Sequence, residues 1–465
     1  MMDIYKLLNN KNKILLYGDL IIDLYTEVKS NRISSECDIP VYERCKDDNK
    51  YMLGGAANVL NNLLNFNIPT HLISIVEDKY IDTIINSTNL ISIRDDNYKN
   101  IIKQRFFSRT HHCFRIDDKN DYKMNKEVIT LFKNKIREIL SNYDMVIISD
   151  YNTGIVNEEL VTYLIHSCNE LNIKTLIDPK NNYNMYVNCN IIKPNKHDAE
   201  LFVNFKINSI EDAIKAGNVF LQKLNAEICI ITLGSDGCIY IKKNYETDHI
   251  KCSINENSHV LDVTGAGDTF VSGICLGILH NLNINEICQL CNIFCSDVIQ
   301  RKYVSVVNIY NILLKHNNVI SDINDCITLK KYLKNKKVIF TSGCFDILHD
   351  GHIHTLKNAK KLGDTLIVAL NTDSSIKKLK GSSRPINSLK TRVGILSSIK
   401  EIDFIIIFSD ETPNNIFEIL QPDILVKGGD YSVDKIKGIF PSVKEYISIP
   451  LIDDISTTKI IERIK

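Results

Sequence analysis

The chain has 465 residues, which is too long for one ordinary hydrophobic core and predicts two or three domains. Lysine plus arginine and aspartate plus glutamate number 56 each, so the formal net charge is zero. Because there is no overall basic field, we expect no general binding of nucleic acid or of an anionic membrane surface. Any affinity for anions must come from local sites.

The sequence also indicates a cytoplasmic protein. Its start lacks the charged and apolar regions of a signal peptide, and no stretch offers eighteen consecutive apolar residues. The 14 cysteines are scattered, which favours reduced thiols over disulfides. Cys288, Cys291 and Cys295 share one face of a predicted helix, and we expect them to be core residues, since a structural zinc site normally needs four ligands.

Short apolar strands alternate with helices through the first part of the chain. The predicted strands are residues 14–17, 145–148, 175–177, 191–192 and 228–232, and the predicted helices include 126–140 and 210–224. This alternation predicts an α/β fold with a mostly parallel sheet covered on both faces. Ligands of such sheets bind where the strands end, and these strands end in Asp, Asn or Gly.

An Asn-rich stretch follows, and the strand and helix alternation then starts again. Residues 317–336 are the predicted linker between a first domain, 1–316, and a smaller doubly wound domain, 337–465. Predicted strands of the second domain are residues 338–341, 365–370, 404–408 and 424–426.

The segment Asp262–Phe270 contains a glycine-rich turn that ends in a carboxylate. Gly265, Ala266 and Gly267 allow backbone N–H groups to converge on an anion, and the apolar run after them predicts a helix whose positive end faces the same point. Asp268 is then placed to take a proton from a hydroxyl that attacks a γ-phosphate. The alternative is a strand-to-helix turn in which Asp268 is only a cap.

With its neighbouring segments, this turn resembles the ribokinase-type carbohydrate kinases over residues 1–316. Gly18-Asp19 with Asp23 resembles the first sugar-binding signature, and Gly54–Val59 the second. The resemblance implies a ribokinase-like sandwich in which Asp19, Asp23, Gly54, Gly55 and Asn58 bind sugar. Residues 231–237 resemble the nucleotide-side turn, which implies ATP binding by Thr232, Gly234, Gly237, Gly265, Ala266 and Gly267.

Within that family the similarity is greater to heptose 7-phosphate kinases, through residues 30–36, 149–151 and 176–180. Lys103, Arg105 and Arg109 lie on one side of a predicted strand and could clamp a second sugar phosphate or form a solvated basic face. Two positions depart from the family. Asn195 and Asp198 replace Asn-x-x-Glu, which is associated with magnesium and phosphates, and Thr153 replaces a lysine, so that a positive charge is lost.

The second domain contains His349 and His352 around Gly351. The segment follows a predicted strand and precedes a predicted helix, so both histidines can point at one anion while Gly351 lets a triphosphate approach the backbone. No protein nucleophile is required, because a substrate phosphate attacks the α-phosphate already ionised. A zinc site is the competing interpretation, but nearby Cys or Glu ligands are missing from the sequence.

Residues 336–465 resemble the His-x-Gly-His nucleotidyltransferases, which have a Rossmann-like fold. The resemblance implies a set of nucleotide and phosphate contacts in this domain beside the two histidines. These are Gly343, Phe345, Asp346, Gly351, Asn371, Asp373, Lys380, Arg384, Arg392, Lys427, Gly428, Asp430, Ser456, Thr457 and Thr458. Asp350 adds a negative charge where relatives often carry a small residue.

The order of the two resemblances, kinase and then adenylyltransferase, is that of the bifunctional enzymes of ADP-heptose biosynthesis. It implies phosphorylation of heptose 7-phosphate at O1 and adenylyl transfer to heptose 1-phosphate, with ATP as substrate of both domains and Mg²⁺ held through phosphates and by Asp198. A homodimer is expected. The alternatives are another sugar or polyol phosphate, with CTP in place of ATP, or a non-catalytic role for one half.

Overall fold

A computed structural model describes residues 3–45, 49–84, 87–108, 111–118, 121–244, 246–252, 260–429, 433–450, 457 and 460–461. The chain forms two compact units. The N-terminal unit is Asn10–Asn308. The C-terminal unit is Ile309–Lys465 together with the first nine residues, which include helix α1 (Ile4–Leu7).

Strands and helices alternate in the N-terminal unit. Its strands are β1 (Ile14–Gly18), β2 (Leu20–Ile33), β3 (Pro40–Arg44), β4 (Lys50–Gly55), β5 (Thr70–Ile75), β6 (Leu90–Ile93), β7 (Ile101–Ser108), β8 (His111–Asp117), β9 (Met145–Ser149), β10 (Lys174–Asp178), β11 (Ile191–Ile192), β12 (Ile228–Thr232), β13 (Cys238–Lys242) and β14 (Thr247–Ile250). Its α-helices are α2 (Ala56–Asn65), α3 (Asp78–Ile84), α4 (Lys126–Ile139), α5 (Glu158–Glu170), α6 (Lys196–Val203), α7 (Ile210–Leu224), α8 (Ala266–Leu279) and α9 (Ile284–Val298).

The main sheet of this unit is parallel over most of its width. Among the described residues nine strands lie in the order β14-β13-β12-β11-β10-β9-β1-β5-β6, and only the pairs that involve β13 are antiparallel. All five residues of β1 and all five of β9 are buried, as expected for central parallel strands with helices on both faces. The predicted mostly parallel α/β sheet is therefore confirmed.

A second sheet of the N-terminal unit forms around the long strand β2. In the described part of the chain, β2 pairs with β3, β4 and β7, and β8 pairs with β7. Asp23 on β2 lies opposite Lys103 on β7 in this register. The sheet matters for the site because it carries Asp23, Gly54, Lys103 and Arg105.

Helix α9 tests the interpretation of the cysteine cluster. It begins with a capping box in which Asn283 and Glu286 bond each other's backbone N–H groups. Cys288 and Cys291 are buried on it, and Cys295 is partly buried. Among the described residues, no group of three or more His, Cys, Asp or Glu side chains could hold a metal ion. The burial of Cys288 and Cys291 fits the expected role of small apolar side chains on a core helix.

The C-terminal unit has one sheet. Its strands are β15 (Val319–Ile320), β16 (Val338–Gly343), β17 (Thr365–Asn371), β18 (Phe404–Phe408), β19 (Ile424–Gly428) and β20 (Glu445–Ile449). Its later helices are α10 (Ile309–His316), α11 (Ile323–Tyr332), α12 (Asp350–Lys360), α13 (Asp373–Lys380), α14 (Leu389–Ser397), α15 (Asn414–Leu420) and α16 (Val433–Ile439). Within the described ranges the strand order is β15-β18-β17-β16-β19-β20, with parallel pairing throughout.

Residues 317–336, predicted to be an irregular linker, are ordered. Val319–Ile320 pairs with β18, and Ile323–Tyr332 forms a helix capped by the Asp322 side chain. Cys326, Leu329 and Leu333 are buried and recur at helical spacing, but the polar residues between them leave a narrow apolar stripe. The helix and the edge strand could therefore not be predicted from the polar composition of this segment.

Candidate active sites

Asp268 lies in the first turn of α8, directly after the glycine turn. Gly265, which precedes the helix, has φ +83°, a left-handed conformation that side chains disfavour. A Cβ atom at this position would come within 2.7 Å of Nδ2 of Asn58. The glycine is therefore required both by the turn and by the close approach of α2, which carries Asn58.

Both oxygen atoms of the Asp268 carboxylate accept hydrogen bonds from neutral side chains. Nδ2 of Asn58 donates to Oδ2 at 2.8 Å, and the phenol of Tyr151 donates to Oδ1. Burial raises the pKa of Asp268 to about 7, the two hydrogen bonds act to lower it, and Asp178 and Asp23 act to raise it further. Asp268 is therefore poised to exchange a proton near neutral pH.

Asp19 organises the loop that follows β9. Its carboxylate accepts a hydrogen bond from the backbone N–H of Tyr151 at 2.6 Å and from the hydroxyl of Thr153 at 2.6 Å. Thr153, where a lysine was expected from the family, is buried and turned towards Asp19. Asp19 is fully buried and engaged by this loop, so its visible role is to hold the backbone of Tyr151 rather than to offer oxygens to a sugar.

Asp23 and Arg105 form a buried ion pair between β2 and β7. Gly54 lies against Asp23, because a Cβ there would come within 2.1 Å of its carboxylate. Lys103 is partly buried, and its Nζ lies 5.4 Å from the ring centre of Tyr151. Of the three predicted clamp cations, Arg105 is thus paired with a carboxylate, Lys103 faces the site around Tyr151, and Arg109 lies outside the described residues.

Asp198, the predicted magnesium contact, is hydrogen-bonded to protein side chains. Asn195 caps α6, and its Nδ2 donates to Oδ2 of Asp198 at 2.6 Å, while Nζ of Lys180 lies 3.0 Å from Oδ1. Each carboxylate oxygen therefore accepts one hydrogen bond from the protein, and a contact of Asp198 with Mg²⁺ stays a prediction. Since Mg²⁺ usually binds through substrate phosphates and retains several waters, an ATP-bound ion needs no further protein cage.

A cavity of about 330 Å³ opens beside the glycine turn. Five predicted nucleotide contacts line it, namely Thr232, Gly234, Gly237, Ala266 and Gly267. Sequence reasoning missed the rest of its lining, which is mostly apolar or small: Ser235, Cys252, Val260, Val263, Phe270, Asn292, Cys295, Ser296 and Ile299. A largely apolar cavity with a few polar groups suits a nucleobase. The α9 residues could have been found as one face of that helix.

In the C-terminal unit the two histidines stack on each other at the start of α12. His349 is the N-cap residue, and its ring centre lies 3.9 Å from that of His352. The Nδ1 atoms of both rings are buried and have no hydrogen-bond partner among the described residues. Burial lowers the pKa of His352 to about 4, with smaller contributions from His349 and Lys380, and burial also lowers that of His349.

The backbone around these histidines favours a close approach by a ligand. Gly343 ends β16, and Phe345 follows with φ +45° and lies 5.1 Å from His352 between ring centres. A Cβ on Gly351 would come within 3.2 Å of Nδ1 of His349. Asp350, the departure from the family pattern, is exposed on the first turn of α12. These positions agree with an open helix N-terminus.

Two arginines predicted as phosphate contacts differ in their bonding. Nε of Arg384 donates to Asp346, which also accepts N–H groups of Ile386 and Asn387 at 2.8 Å, and these bonds hold the pKa of Asp346 below its usual value despite partial burial. The Nη2 atom of Arg384 has no partner among the described residues. Arg384 therefore retains a free donor for an anion.

Arg392 is instead fully buried, and all its donor nitrogens bond to the protein. They reach Oδ1 of Asp373 at 2.7 Å and the carbonyls of Cys344 and Asn387 at 2.8 and 3.1 Å. The guanidinium joins the start of α13 to two loops through these three bonds, and its contact with phosphate stays a prediction. Its contribution is to the shape of the site.

The remaining predicted contacts are distributed around the ends of β17 and β19. Lys427 is held by the carbonyl and hydroxyl of Ser342, and burial lowers its pKa to about 8. Asn371 donates to Ser375 at 3.0 Å, and Lys380 is exposed at the end of α13. Gly428 is the last residue of β19, and Thr457 is partly buried. Asp430, Ser456 and Thr458 lie outside the described residues.

Comparison with known proteins identifies both units. The pfkB family of carbohydrate kinases matches residues 11–311, and the cytidylyltransferase-like family matches residues 340–463. A protein named bifunctional protein HldE from Helicobacter pylori (strain P12) is 34% identical over 97% of this chain and 98% of its own length. The HldE protein of Aliarcobacter butzleri is also 34% identical, over 99% of this chain and 98% of its own.

The chain belongs to the bifunctional HldE family. It is an enzyme that joins a carbohydrate kinase to a nucleotidyltransferase and acts on small-molecule substrates. The solved structure of phosphofructokinase-2 from Escherichia coli, 15% identical, has a TM-score of 0.51 and covers 64% of this chain and 95% of its own. That likeness concerns fold alone, and with the pfkB match it confirms the predicted ribokinase-like first domain. No described helix is long and apolar enough to span a membrane.

Proposed function

We propose that the N-terminal unit phosphorylates O1 of heptose 7-phosphate with ATP, and that the C-terminal unit transfers an adenylyl group from ATP to heptose 1-phosphate with release of pyrophosphate. One observation carries the proposal. The same chain contains a buried carboxylate at a glycine turn and, in its other unit, two stacked imidazoles with free nitrogens at a helix N-terminus. The first arrangement activates a hydroxyl, and the second binds a nucleotide whose attacker is already charged.

In the kinase site the nucleobase of ATP occupies the 330 Å³ cavity. The triphosphate then points to the N-terminus of α8, where the backbone N–H groups of residues 265–267 and the helix dipole stabilise charge on the γ-phosphate. Asp268 accepts the proton of the O1 hydroxyl as the oxygen attacks. The attack is in line, and ADP is the leaving group.

We assign the sugar to residues that the second sheet and helix α2 of the N-terminal unit contribute. Asp23, the glycine pair Gly54-Gly55 and Asn58 are assigned to sugar hydroxyls, while Lys103 is assigned to the 7-phosphate. Arg105 is assigned to the fixing of Asp23, because the two side chains are buried against each other. Magnesium enters with the ATP phosphates, and Asn195 and Lys180 act through Asp198 to shape that side of the site.

In the transferase site the histidines and Arg384 bind the triphosphate. His349 and His352 are neutral when the site is empty. Their N–H groups can donate hydrogen bonds to the α-phosphate as negative charge builds up on it in the transition state. Arg384 contributes its free Nη2, and Lys380 adds a positive charge at the end of α13. The phosphate of heptose 1-phosphate attacks the α-phosphorus, so the reaction needs no protein base.

We also propose that the enzyme is a homodimer. Apolar side chains on the second sheet of the N-terminal unit are unusually exposed: Ile33 by 61%, Ile116 by 53% and Tyr51 by 49%. Tyr51 and Ile116 lie in one row across this sheet, and neighbouring exposed apolar residues are typical of an interaction surface. Sedimentation velocity of the full chain should give a dimer, and Ile116→Lys should shift it to a monomer if this sheet is the contact.

The test of function is a panel of sugar phosphates incubated with ATP or CTP and analysed by mass spectrometry. Heptose 7-phosphate with ATP should give a bisphosphate, and heptose 1-phosphate with ATP should give ADP-heptose and pyrophosphate. Failure to convert either heptose phosphate would overturn the proposed substrates. Faster reaction with CTP, or with another sugar phosphate, would favour the alternative specificity of the same folds.

A further inference from the structure

Tyr151 connects the sugar side of the kinase site to Asp268. We infer that Tyr151 is a positioning residue for phosphoryl transfer, whose phenol keeps the Asp268 carboxylate ionised and turned towards the attacking hydroxyl. The inference rests on the proposed role of Asp268 as the base. It adds a residue that has no sugar or nucleotide contact assigned to it.

The first support is the bonding of the carboxylate. Asp268 has one donor on each oxygen, Tyr151 on Oδ1 and Asn58 on Oδ2, and both donors are neutral. Two neighbouring carboxylates, Asp178 and Asp23, disfavour its ionised form. The phenol is therefore one of two groups that oppose the effects of burial and of like charge.

The second support is the way in which Tyr151 itself is held. Its backbone N–H donates to the buried Asp19, its ring lies under Nζ of Lys103, and its hydroxyl reaches Asp268. Because the backbone and the ring of Tyr151 are both held, the side chain loses little further freedom when its hydroxyl donates, and the hydrogen bond can orient the carboxylate. Burial also raises the pKa of the phenol well above its usual value, and the group remains a donor at every working pH.

The sign of the effect follows from the hydrogen bond. A donor to the carboxylate stabilises its charged form, so loss of the phenol raises the pKa of Asp268 further above its usual range. A base must be ionised to act, and its activity is therefore lost as pH falls through that pKa. Removal of the hydroxyl should therefore move the acid midpoint of the pH profile of phosphorylation to higher pH.

The experiment compares the full-length enzyme with Tyr151→Phe, measuring kcat and KM for sugar phosphorylation from pH 5.5 to 9.5. We expect the acid midpoint of kcat to rise by about one pH unit and kcat at pH 7 to fall about fivefold, with recovery above pH 9 and little change in KM for ATP, since a hydrogen bond to a charged group is worth roughly that much. Adenylyl transfer is measured on the same sample as a control that the variant protein is folded.

Tyr122→Phe is the matched control. It removes a phenol that donates to Asp95 at 2.6 Å, and Asp95 has no part in the proposed site. Its acid midpoint should equal that of the unaltered enzyme. A second variant carries 3-fluorotyrosine at position 151, a stronger donor of nearly the same size, and should move the midpoint to lower pH. It provides an independent result if the phenylalanine variant folds poorly.

The outcomes separate two failures. If Asp268→Asn retains phosphorylation, the base is misassigned and the inference about Tyr151 is overturned with it. If Asp268→Asn is inactive while Tyr151→Phe keeps the original acid midpoint and KM for ATP, only the role of Tyr151 is overturned. Opposite shifts in the phenylalanine and fluorotyrosine variants would support it.

Discussion

The two active sites differ in the side chains that they offer for phosphate chemistry: one has a carboxylate and the other has two imidazoles. In the N-terminal unit the carboxylate of Asp268 is buried between two neutral donors, in the first helical turn after Gly265. In the C-terminal unit two imidazoles stack at a helix start, and their Nδ1 atoms have no hydrogen-bond partner among the described residues. The difference follows from the nucleophile, because a sugar hydroxyl has to lose a proton whereas a sugar phosphate arrives ionised. The type of buried group therefore indicates which reaction each unit performs.

The largest expected effect comes from removal of the base. Asp268→Asn keeps the shape of the side chain and its contact with Tyr151 but cannot accept a proton. Sugar phosphorylation should fall by about 10²- to 10⁴-fold, the usual contribution of general base catalysis. Adenylyl transfer by the same preparation should be unchanged. Loss of both activities in a folded sample would contradict separate sites.

The converse change tests the other half of the comparison. His352→Ala removes a donor from the N-terminus of α12 and should lower adenylyl transfer by about 10²- to 10³-fold, as loss of one transition-state donor commonly does. Phosphorylation of the sugar should persist, measured by coupled release of ADP. A variant that retains full adenylyl transfer would show that the stacked histidines do not contact the nucleotide.

A smaller effect is expected from Gly265→Ala, which tests the geometry around Asp268. The left-handed φ costs about 1 kcal/mol for alanine, and the new methyl group would press on Asn58. We expect a kcat for phosphorylation about tenfold lower and a thermal midpoint for the N-terminal unit reduced by a few degrees. Gly394→Ala is the control, since nothing lies within 4 Å of a Cβ there. Equal activity in both variants would show that the turn tolerates a side chain.

The central strands of the two mostly parallel sheets could be predicted from the sequence, since they are buried on both faces and therefore read as unbroken apolar runs, as in Met145–Ser149. The second sheet of the N-terminal unit was not predicted, because strands such as Pro40–Arg44 are partly exposed and carry no such run. The helix start at Asp268 was also predictable, because the glycine turn is local. The helix Ile323–Tyr332 was missed, since a few apolar residues in a polar stretch are enough to bury one side of it.

The partners of charged and polar side chains were harder to predict, because they depend on contacts between distant parts of the chain. Arg105 and Arg392 looked like phosphate ligands, yet the fold pairs them with Asp23 and Asp373. Tyr151 belongs to a segment that was noticed only for its resemblance to the family, while its hydroxyl reaches a carboxylate 117 positions away. No local pattern contains such a contact.

The last prediction needs no substitution and compares the two reactions across pH in the unaltered enzyme. Asp268 has a pKa of about 7 and must be ionised, so phosphorylation should rise about tenfold between pH 6 and pH 8. The imidazole of His352 has a pKa of about 4 and is already neutral at pH 6, and a phosphate monoester has its second pKa near about 6. Adenylyl transfer should therefore change only about twofold over the same interval. Initial rates of both reactions in one buffer series give the ratio directly, and a constant ratio would mean that Asp268 does not titrate as the base of the first reaction.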